Sequence, residues 1–257
     1  MESIVNLQDR TIVVTGAAQG IGKAISELVI ELGGNVVAID LNAQSLEAGL
    51  SLLPQARVMR VEGSVTDPEL AHRTIADAAT RFGSVHGLVN NAGITRPAMI
   101  EKMTMAQWQD VIDVHMTGSF VWTQAVGRHM IARFKDGDTS GGSILNVSSD
   151  AGRKGSVGQI NYSAAKAAML AMSMTAAREW ARYNIRANAI CFGVVETPMT
   201  EVVRGEKFRD AMLAQIPMNR WSTPQEVVKS VCFLLSDASS YTTGQYLAVN
   251  GGFHISL

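Results

Sequence analysis

Three side chains in the second half of the sequence have the types and spacing needed to move a proton to or from an alcohol oxygen. Tyr162 and Lys166 lie four positions apart in a stretch of helical periodicity, which places a phenol and an ammonium group on one face. A cation about 4 Å from the phenol, at an effective dielectric of about 20, supplies roughly 4 kcal/mol. That energy lowers the pKa of the phenol from about 10 to about 7, where a tyrosine can act as a general acid or base. Ser149 can hold the same oxygen by a hydrogen bond.

The same Tyr-x-x-x-Lys spacing also fits an ordinary amphipathic helix in which both residues are incidental. The choice between the two interpretations depends on the elements that position these residues. Those elements are indicated by the order of apolar runs, glycine turns and helical stretches along the chain.

Composition and charge narrow the class of protein. The chain has 257 residues, 47% of them hydrophobic, and its 22 basic and 23 acidic side chains give a net charge of −1. These values predict one domain over residues 1–257 with a full hydrophobic core. The balanced charge gives no reason to expect a nucleic acid or an anionic membrane as a partner. No apolar run approaches the length of about 18 residues that a membrane span requires.

Neither targeting nor metal binding is indicated. Residues 1–6 have no basic region followed by an apolar one, so we expect no signal peptide and a cytoplasmic location. Cys191 and Cys232 stand in apolar surroundings, which favours ordinary buried thiols in a reducing compartment. The five histidines are scattered without metal-ligand spacing, and we expect no metal site.

The first part of the chain is typical of a dinucleotide site. A β-branched run at 11–15 predicts a buried strand, a Gly-x-x-x-Gly-x-Gly turn follows at 16–22, and helical periodicity covers 23–32. A second strand at 35–39 ends at Asp40. Glycines let such a turn tighten around a pyrophosphate, which lies at the positive helix N-terminus, and the acid can bind the ribose hydroxyls.

Strands and helices alternate over the rest of the chain. Further strands are predicted at 57–61, 85–89, 143–147, 185–191 and 246–249. Further helices are predicted at 43–53, 69–82, 104–133, 161–182, near 207–214 and at 223–236. The pattern predicts an α/β fold: a Rossmann-like, doubly wound, seven-stranded parallel sheet with helices on both faces. Because ligands bind beyond the carboxyl ends of such strands, the turns that follow them should converge on one site.

At this point the chain resembles the short-chain dehydrogenase/reductase family over essentially its whole length. The motifs are the glycine turn, Asn-Asn-Ala-Gly at 90–93, Ser149, the Tyr162 and Lys166 pair, and Thr-Pro-Met at 197–199. The resemblance implies a nicotinamide dinucleotide, a cofactor half at about 1–150 and a catalytic half at about 151–257. It also implies that Tyr162 is the acid/base, that Lys166 lowers its pKa and holds the ribose, and that Ser149 orients the substrate.

The resemblance implies specific cofactor contacts as well. Asn90 would hold the glycine turn to the fourth strand, Val65 would lie on the adenine, and Thr197 would meet the nicotinamide carboxamide. The full expected set is Gly16, Gln19, Gly20, Ile21, Gly22, Asp40, Leu41, Ser64, Val65, Asn91, Ala92, Gly93, Tyr162, Lys166, Gly193, Val195 and Thr197.

Two positions depart from the family pattern. His115 stands where the family usually has an asparagine that holds a water next to the lysine. A histidine can donate and accept, so it either relays the proton, with an ionisation between about pH 5 and 8, or is a packing residue at a helix bend. Phe192 and Gly193 replace the usual Pro-Gly, which puts an aromatic ring either near the nicotinamide or the substrate, or in the core.

The sequence also indicates a substrate class and a preferred cofactor. Residues 94–99, 113–120 and 158–166 look most like 3-oxoacyl-thioester reductases and (3R)-hydroxyacyl-CoA dehydrogenases. A steroid, sugar, cyclic diol or small ketone substrate and a non-catalytic dinucleotide sensor are the alternatives. Asp40 would repel the 2′-phosphate of NADP(H), so NAD(H) is expected. The family habit implies a homotetramer, with one dimer face made by the long central helix and the Tyr162 helix.

Overall fold

The computed structural model describes residues 4–255, so the predicted lack of a signal peptide at 1–6 lies partly outside the described residues. All neighbouring strands pair in parallel, in the order β3-β2-β1-β4-β5-β6-β7. The strands are β1 (Thr11–Thr15), β2 (Asn35–Asp40), β3 (Val58–Glu62), β4 (Gly87–Asn90), β5 (Gly142–Ser149), β6 (Ile185–Phe192) and β7 (Tyr246–Val249). The predicted seven-stranded, doubly wound fold is therefore confirmed.

Helices connect the strands on both faces. They are α1 (Gly20–Glu31), α2 (Ala43–Gly49), α3 (Pro68–Phe82), α4 (Met105–Ile112), α5 (Gly118–Lys135), α6 (Ala151–Lys154), α7 (Ile160–Trp180), α8 (Glu201–Arg204), α9 (Glu206–Leu213) and α10 (Pro224–Leu235). One core packs α1 and α10 against the sheet, and a second core on the other face packs α3, α5 and α7. This two-sided burial is why the strands read as continuous apolar runs.

Two helix predictions were wrong in extent. The helix predicted at 43–53 ends at Gly49, where a Cβ atom would lie 2.1 Å from the carbonyl oxygen of Ala18 in the glycine turn. The single helix predicted at 104–133 is two helices, α4 and α5, joined by a π-helical turn over Asp113–Thr117. A π turn carries one extra residue per turn and therefore re-aims the side chains within it.

The rest of the described chain adds two observations. None of its helices is both long and apolar enough to cross a membrane. Cys191 and Cys232 are both free and buried, and burial raises the pKa of each thiol. Both cysteines therefore behave as the sequence predicts for inert core thiols.

Candidate active site

The glycine turn after β1 is shaped by close backbone contacts. Gly16 and Gly20 have positive φ angles of +65° and +55°, a region that side chains rarely adopt. A Cβ atom on Gly22 would lie 2.0 Å from the carbonyl oxygen of Gly16, so only glycine lets α1 start this close to the turn. The helix N-cap, Gln19, makes no side-chain cap, and the first turn of α1 has no acidic residue. The backbone N–H groups at the start of α1 are therefore suited to bind an anionic pyrophosphate.

The expected role of Asn90 belongs to its neighbour. Asn91 donates from Nδ2 to the carbonyl oxygens of Thr15 (2.9 Å) and Gly16 (3.1 Å), and it thereby ties the glycine turn to the end of β4. Asn90 instead donates to Oδ1 of Asn146 on β5 at 2.8 Å. Successive strand residues point to opposite faces, so a one-residue step exchanges the two roles.

Asp40 lies at the end of β2, beside the same turn. Its carboxylate accepts hydrogen bonds from the backbone N–H of Ala18 (3.0 Å) and of Asn42 (3.4 Å). Among the described residues that line the cleft around it, Lys166 is the only Lys or Arg. A ligand group that binds beside Asp40 therefore meets a negative charge that no neighbouring lysine or arginine of the cleft wall neutralises.

One cleft of about 380 Å³ brings the predicted residues together at the carboxyl edge of the sheet. Every expected cofactor and catalytic residue lines it except Gly22, which faces the backbone of the turn. The sequence reasoning missed several lining residues: Gly63, Ile94, Val114, Val147, Ser148, Pro198, Met199 and Thr200. Most of these residues lie next to a recognised motif. The convergence of the strand ends on one edge of the sheet is the signal that could have identified them.

Helix α7 presents Tyr162 and Lys166 to the end of β5. Lys166 is 4% exposed and donates from Nζ to the carbonyl oxygen of Val147 at 2.7 Å, while Ser148 Oγ donates to the carbonyl of Lys166 at 2.6 Å. Nζ lies 5.6 Å from the centre of the Tyr162 ring. Ser149 interacts with the Tyr162 hydroxyl, and its own Oγ accepts a hydrogen bond from the N–H of Ala151 at 3.2 Å.

The protonation states differ from the expected ones. Burial raises the pKa of Tyr162 to about 12, although the hydrogen bond with Ser149 acts in the opposite direction. Burial also lowers the pKa of Lys166 to about 7. The expected pKa of about 7 for the phenol was therefore wrong for this geometry, because the cost of burying a charge outweighs the hydrogen bond with Ser149.

His115 lies in the π-helical turn and is 1% exposed. Its Nε2 lies 3.0 Å from the N–H and 2.8 Å from the carbonyl oxygen of Ile94, and its ring meets that of Tyr162 edge-on at 5.3 Å. Burial, with the charge of Lys166 second, lowers the pKa of His115 to about 3. The expected ionisation between pH 5 and 8 was therefore wrong, and the imidazole is neutral over that range. Its Nδ1 is buried without a hydrogen-bond partner among the described residues.

Phe192 satisfies both interpretations offered for it. The side chain is 4% exposed and belongs to the core that contains α1 and α10. It also lines the cleft, next to Gly193. An aromatic ring at this strand end thus closes the core and forms part of the cleft wall.

Comparisons with known proteins agree with this geometry. The family model described as enoyl-(acyl carrier protein) reductase matches residues 16–254. A 3-oxoacyl-[acyl-carrier-protein] reductase FabG of Thermotoga maritima is 40% identical over 97% of this chain and 99% of that protein. An acetoacetyl-CoA reductase of Synechocystis is 39% identical over 96% of this chain and 98% of that protein.

A solved structure extends the likeness to the fold. The crystal structure of a short-chain dehydrogenase/reductase, glucose/ribitol dehydrogenase, from Brucella melitensis has a TM-score of 0.89 and 32% identity. It covers 97% of this chain and 98% of that chain. With the glycine turn, Ser149, Tyr162 and Lys166 on one cleft, these matches show that the chain belongs to the short-chain dehydrogenase/reductase family, whose enzymes interconvert alcohols and ketones with a nicotinamide dinucleotide.

Proposed function

We propose that the enzyme reduces a 3-oxoacyl thioester to the 3-hydroxyacyl thioester with NADH. The observation that carries this proposal is that Ser149, Tyr162 and Lys166 line one cleft whose wall is partly apolar, in a chain whose relatives include thioester reductases. Burial raises the pKa of the Tyr162 phenol to about 12. A phenol that keeps its proton at neutral pH is suited to donating it to a ketone oxygen, which is the proton transfer that reduction requires.

The proposed roles of the side chains follow from their positions. A bound nicotinamide dinucleotide supplies the hydride. Tyr162 donates the phenolic proton to the ketone oxygen, and Ser149 donates a hydrogen bond to the same oxygen. Lys166, held at Val147, returns a proton toward the phenol, and its pKa of about 7 suits that exchange. The neutral His115 holds Ile94 beside Tyr162 and can pass a proton without a net change of charge.

The walls of the cleft favour an apolar acyl group over a sugar. Ile94, Val114, Phe192 and Met199 give part of the cleft wall an apolar surface. The 94–104 segment is tied to the loop before α7 by a hydrogen bond from Ala98 N–H to the carbonyl of Gly158, at 2.9 Å. Large apolar side chains are exposed on the segments that leave the cleft, at Met99, Ile100, Val157, Met199 and Val202. Burying such side chains against an acyl chain stabilises the complex.

The cofactor preference rests on Asp40. Its carboxylate would accept hydrogen bonds from the adenosine ribose of a bound dinucleotide, and no Arg or Lys stands in residues 17–19 or 41–42 to pair with a 2′-phosphate. The like-charge contact should make NADP(H) at least about tenfold less effective than NAD(H). The proposed cofactor contacts are those of the expected set that line the cleft, with Gly22 as a packing residue.

One assay tests substrate and cofactor together. We expect kcat/KM for acetoacetyl-CoA reduction to exceed the values for steroid, sugar and simple ketones, and to be higher with NADH than with NADPH. Asp40→Ala should narrow the gap between the two cofactors, which separates the carboxylate effect from the rest of the site. Equal wild-type values for NADH and NADPH would contradict the cofactor assignment, and a faster simple ketone would contradict the thioester.

Self-association is part of the proposal, and the expected homotetramer is retained. Helix α7 carries an exposed apolar stripe at helical spacing, made of Ala164, Ala167, Ala171 and Met174. The neighbouring α5 exposes Phe120 to 55%. Such a stripe is typical of a helix face that packs against another helix, here that of a second copy. The mass in solution, measured by light scattering, tests this assembly.

A further inference from the structure

A buried carboxylate directly follows Ser149 and has no part in the proton transfer proposed above. Asp150 is 1% exposed. Its Oδ2 accepts a hydrogen bond from Nδ2 of Asn250 at 2.7 Å, and its Oδ1 lies 3.3 Å from Nη1 of Arg153. The Arg153 side chain is 7% exposed, and its guanidinium lies 4.8 Å from the centre of the Tyr246 ring on β7. This carboxylate thus joins the Ser149 turn to the last strand and the segment after it.

The backbone around Asp150 orients the serine. The N–H of Asp150 donates to the carbonyl of Phe192 at 3.1 Å, which binds the ends of β5 and β6 together. The next N–H, that of Ala151, donates to Oγ of Ser149 at 3.2 Å. A hydroxyl that accepts from one side has its own hydrogen free to point elsewhere, and the Tyr162 hydroxyl is the partner there.

Helix α6, which directly follows Asp150, packs closely against α7, the helix that carries Tyr162 and Lys166. A Cβ atom on Gly152 would lie 2.5 Å from the carbonyl carbon of Lys166. A shift of the α6 turn therefore changes the distance between Ser149 and the α7 residues. The position of Asp150 therefore affects the placement of both Ser149 and Lys166 relative to the Tyr162 phenol.

The segment beyond β7 forms the other side of the link. Asn250 lies against Gly193 of the cleft wall, where a Cβ atom would be 3.0 Å from the Asn250 Cα. Oδ1 of Asn250 accepts from the N–H of Gly252 at 3.0 Å, and the carbonyl of Gly251 accepts from the N–H of Met218 at 3.2 Å. The 250–255 segment thereby connects the cleft wall, the end of the 198–218 segment and the Ser149 turn.

We propose that Asp150 is a positioning residue whose carboxylate fastens the Ser149 turn to the 250–255 segment and so keeps Ser149 Oγ directed at Tyr162. The inference rests on the proposed role of Ser149. Burial raises the pKa of Asp150, although Asn250, Arg153, His254 and Lys154 act in the opposite direction. A raised pKa means that the ionised carboxylate weakens the native state at neutral pH, and a group kept at that cost points to function rather than to stability.

The test compares Asp150→Asn with wild type in kcat, KM and the pH profile of alcohol oxidation. Asp150→Asn keeps one acceptor oxygen and turns the other into an amide donor, so it can no longer accept from both Asn250 and Arg153. The Ser149 turn is then held less firmly, and kcat should fall roughly 10- to 100-fold while KM for the cofactor changes little. The alkaline limb of the profile, which reports Tyr162, should move to higher pH, because the hydrogen bond from Ser149 acts to lower the pKa of Tyr162. The limb near pH 7, which reports Lys166, should stay in place. Asn250→Ala removes the amide that donates to Asp150 and should shift the profile in the same direction. A double variant, Asp150→Asn with Arg153→Gln, removes both charges of the ion pair and serves if the single variant folds poorly.

Asp138→Asn is the matched control, because Asp138 pairs with Arg133 at 2.8 Å but does not line the cleft. It should lower Tm and leave kcat and the pH profile unchanged. Tyr162→Phe is measured in the same assay. If Tyr162→Phe is inactive while Asp150→Asn and Asn250→Ala keep the wild-type kcat and profile, the inference about Asp150 is wrong and the proposed function stands. If Tyr162→Phe remains active, the proposed function itself is wrong.

Discussion

Tyr162 keeps its proton at neutral pH because burial opposes the phenolate more strongly than Ser149 supports it. The amino group of Lys166 donates to the carbonyl of Val147, and burial disfavours its protonated form, which lowers its pKa to about 7. A phenol and an amine in this state are poised for proton donation to a ketone. At the scale of single residues, this state fits the proposed role of Tyr162 as a general acid better than it fits a preformed phenolate.

Tyr162→Phe removes only the hydroxyl group and should lower kcat by at least about 10²-fold, the lower range for general acid catalysis. The fold and the affinity for NADH should be retained, since the ring still packs against His115. Loss of NADH absorbance measures turnover, and quenching of protein fluorescence measures cofactor binding. Tyr183→Phe, whose ring packs on Phe134 outside the cleft, is the control and should match wild type. More than about a tenth of wild-type activity in Tyr162→Phe would exclude this tyrosine as the acid.

At the scale of elements, the π-helical turn between α4 and α5 decides where His115 points. The turn brings the imidazole under Gly93, where a Cβ atom would lie 2.4 Å from Cε1 of His115. The ring thus links the turn after β4 to helix α7 through Ile94 and Tyr162. A regular helix through 113–117 would rotate this side chain away from both.

His115→Leu can neither donate nor accept and should lose most of kcat, whereas His115→Asn keeps both abilities and should retain substantial activity. Neither variant should remove a rate limb near pH 7, because that ionisation belongs to Lys166 while the pKa of His115 is about 3. Rate profiles between pH 5 and 9 for wild type and both variants provide the measurement. Wild-type kcat in the Leu variant would leave His115 as a packing residue only.

At the scale of the whole molecule, two partly buried histidines, His86 and His129, lie at the edge of the sheet opposite the cleft. Nδ1 of His86 accepts a hydrogen bond from the N–H of Thr11 at 3.1 Å, and Nε2 of His129 accepts one from Val85 at 3.1 Å. Both bonds require an unprotonated nitrogen. Burial, with the charge of Arg133 second, lowers the pKa of His86 to about 4 and lowers that of His129.

These histidines should make the fold sensitive to acid. An unfolded histidine binds a proton near pH 6.5, so stability is fully present above that pH and is lost as pH falls through about 4. We expect Tm to decrease from pH 7 to pH 4, with His115 contributing in the same direction. His86→Asn retains an acceptor for the N–H of Thr11 but does not titrate. Unfolding of this variant should take up about one proton fewer than unfolding of wild type, so its Tm should depend less on pH.

Thermal melts at several pH values measure this effect. His72→Asn, at an exposed position of α3, is the control and should keep the wild-type dependence. A His86→Asn variant with the same dependence as wild type would show that His86 is not a source of the acid sensitivity.

The sequence by itself determined the fold and most of the site. Strands buried on both faces carry continuous apolar runs, and β1, whose five residues are all buried, lies where its run predicted. The edge strand β7 also lies at its predicted position, although it is largely exposed. Because parallel strands end on the same edge, the turns that carry Asp40, Ser149 and the Tyr162 pair had to converge. The family motifs reinforced that prediction with specific residues, nearly all of which line the cleft.

Only the tertiary structure decided how those residues are charged and oriented. The pKa of Tyr162, of Lys166 and of His115 depends on how completely distant parts of the chain exclude water, which spacing along a helix does not encode. The exchange between Asn90 and Asn91 depends on where β4 ends: Asn90 is its last residue, and Asn91 follows it beside the glycine turn. The burial of Asp150 against Asn250, one hundred residues later in the chain, exists only because β6 and β7 close the sheet beside the Ser149 turn.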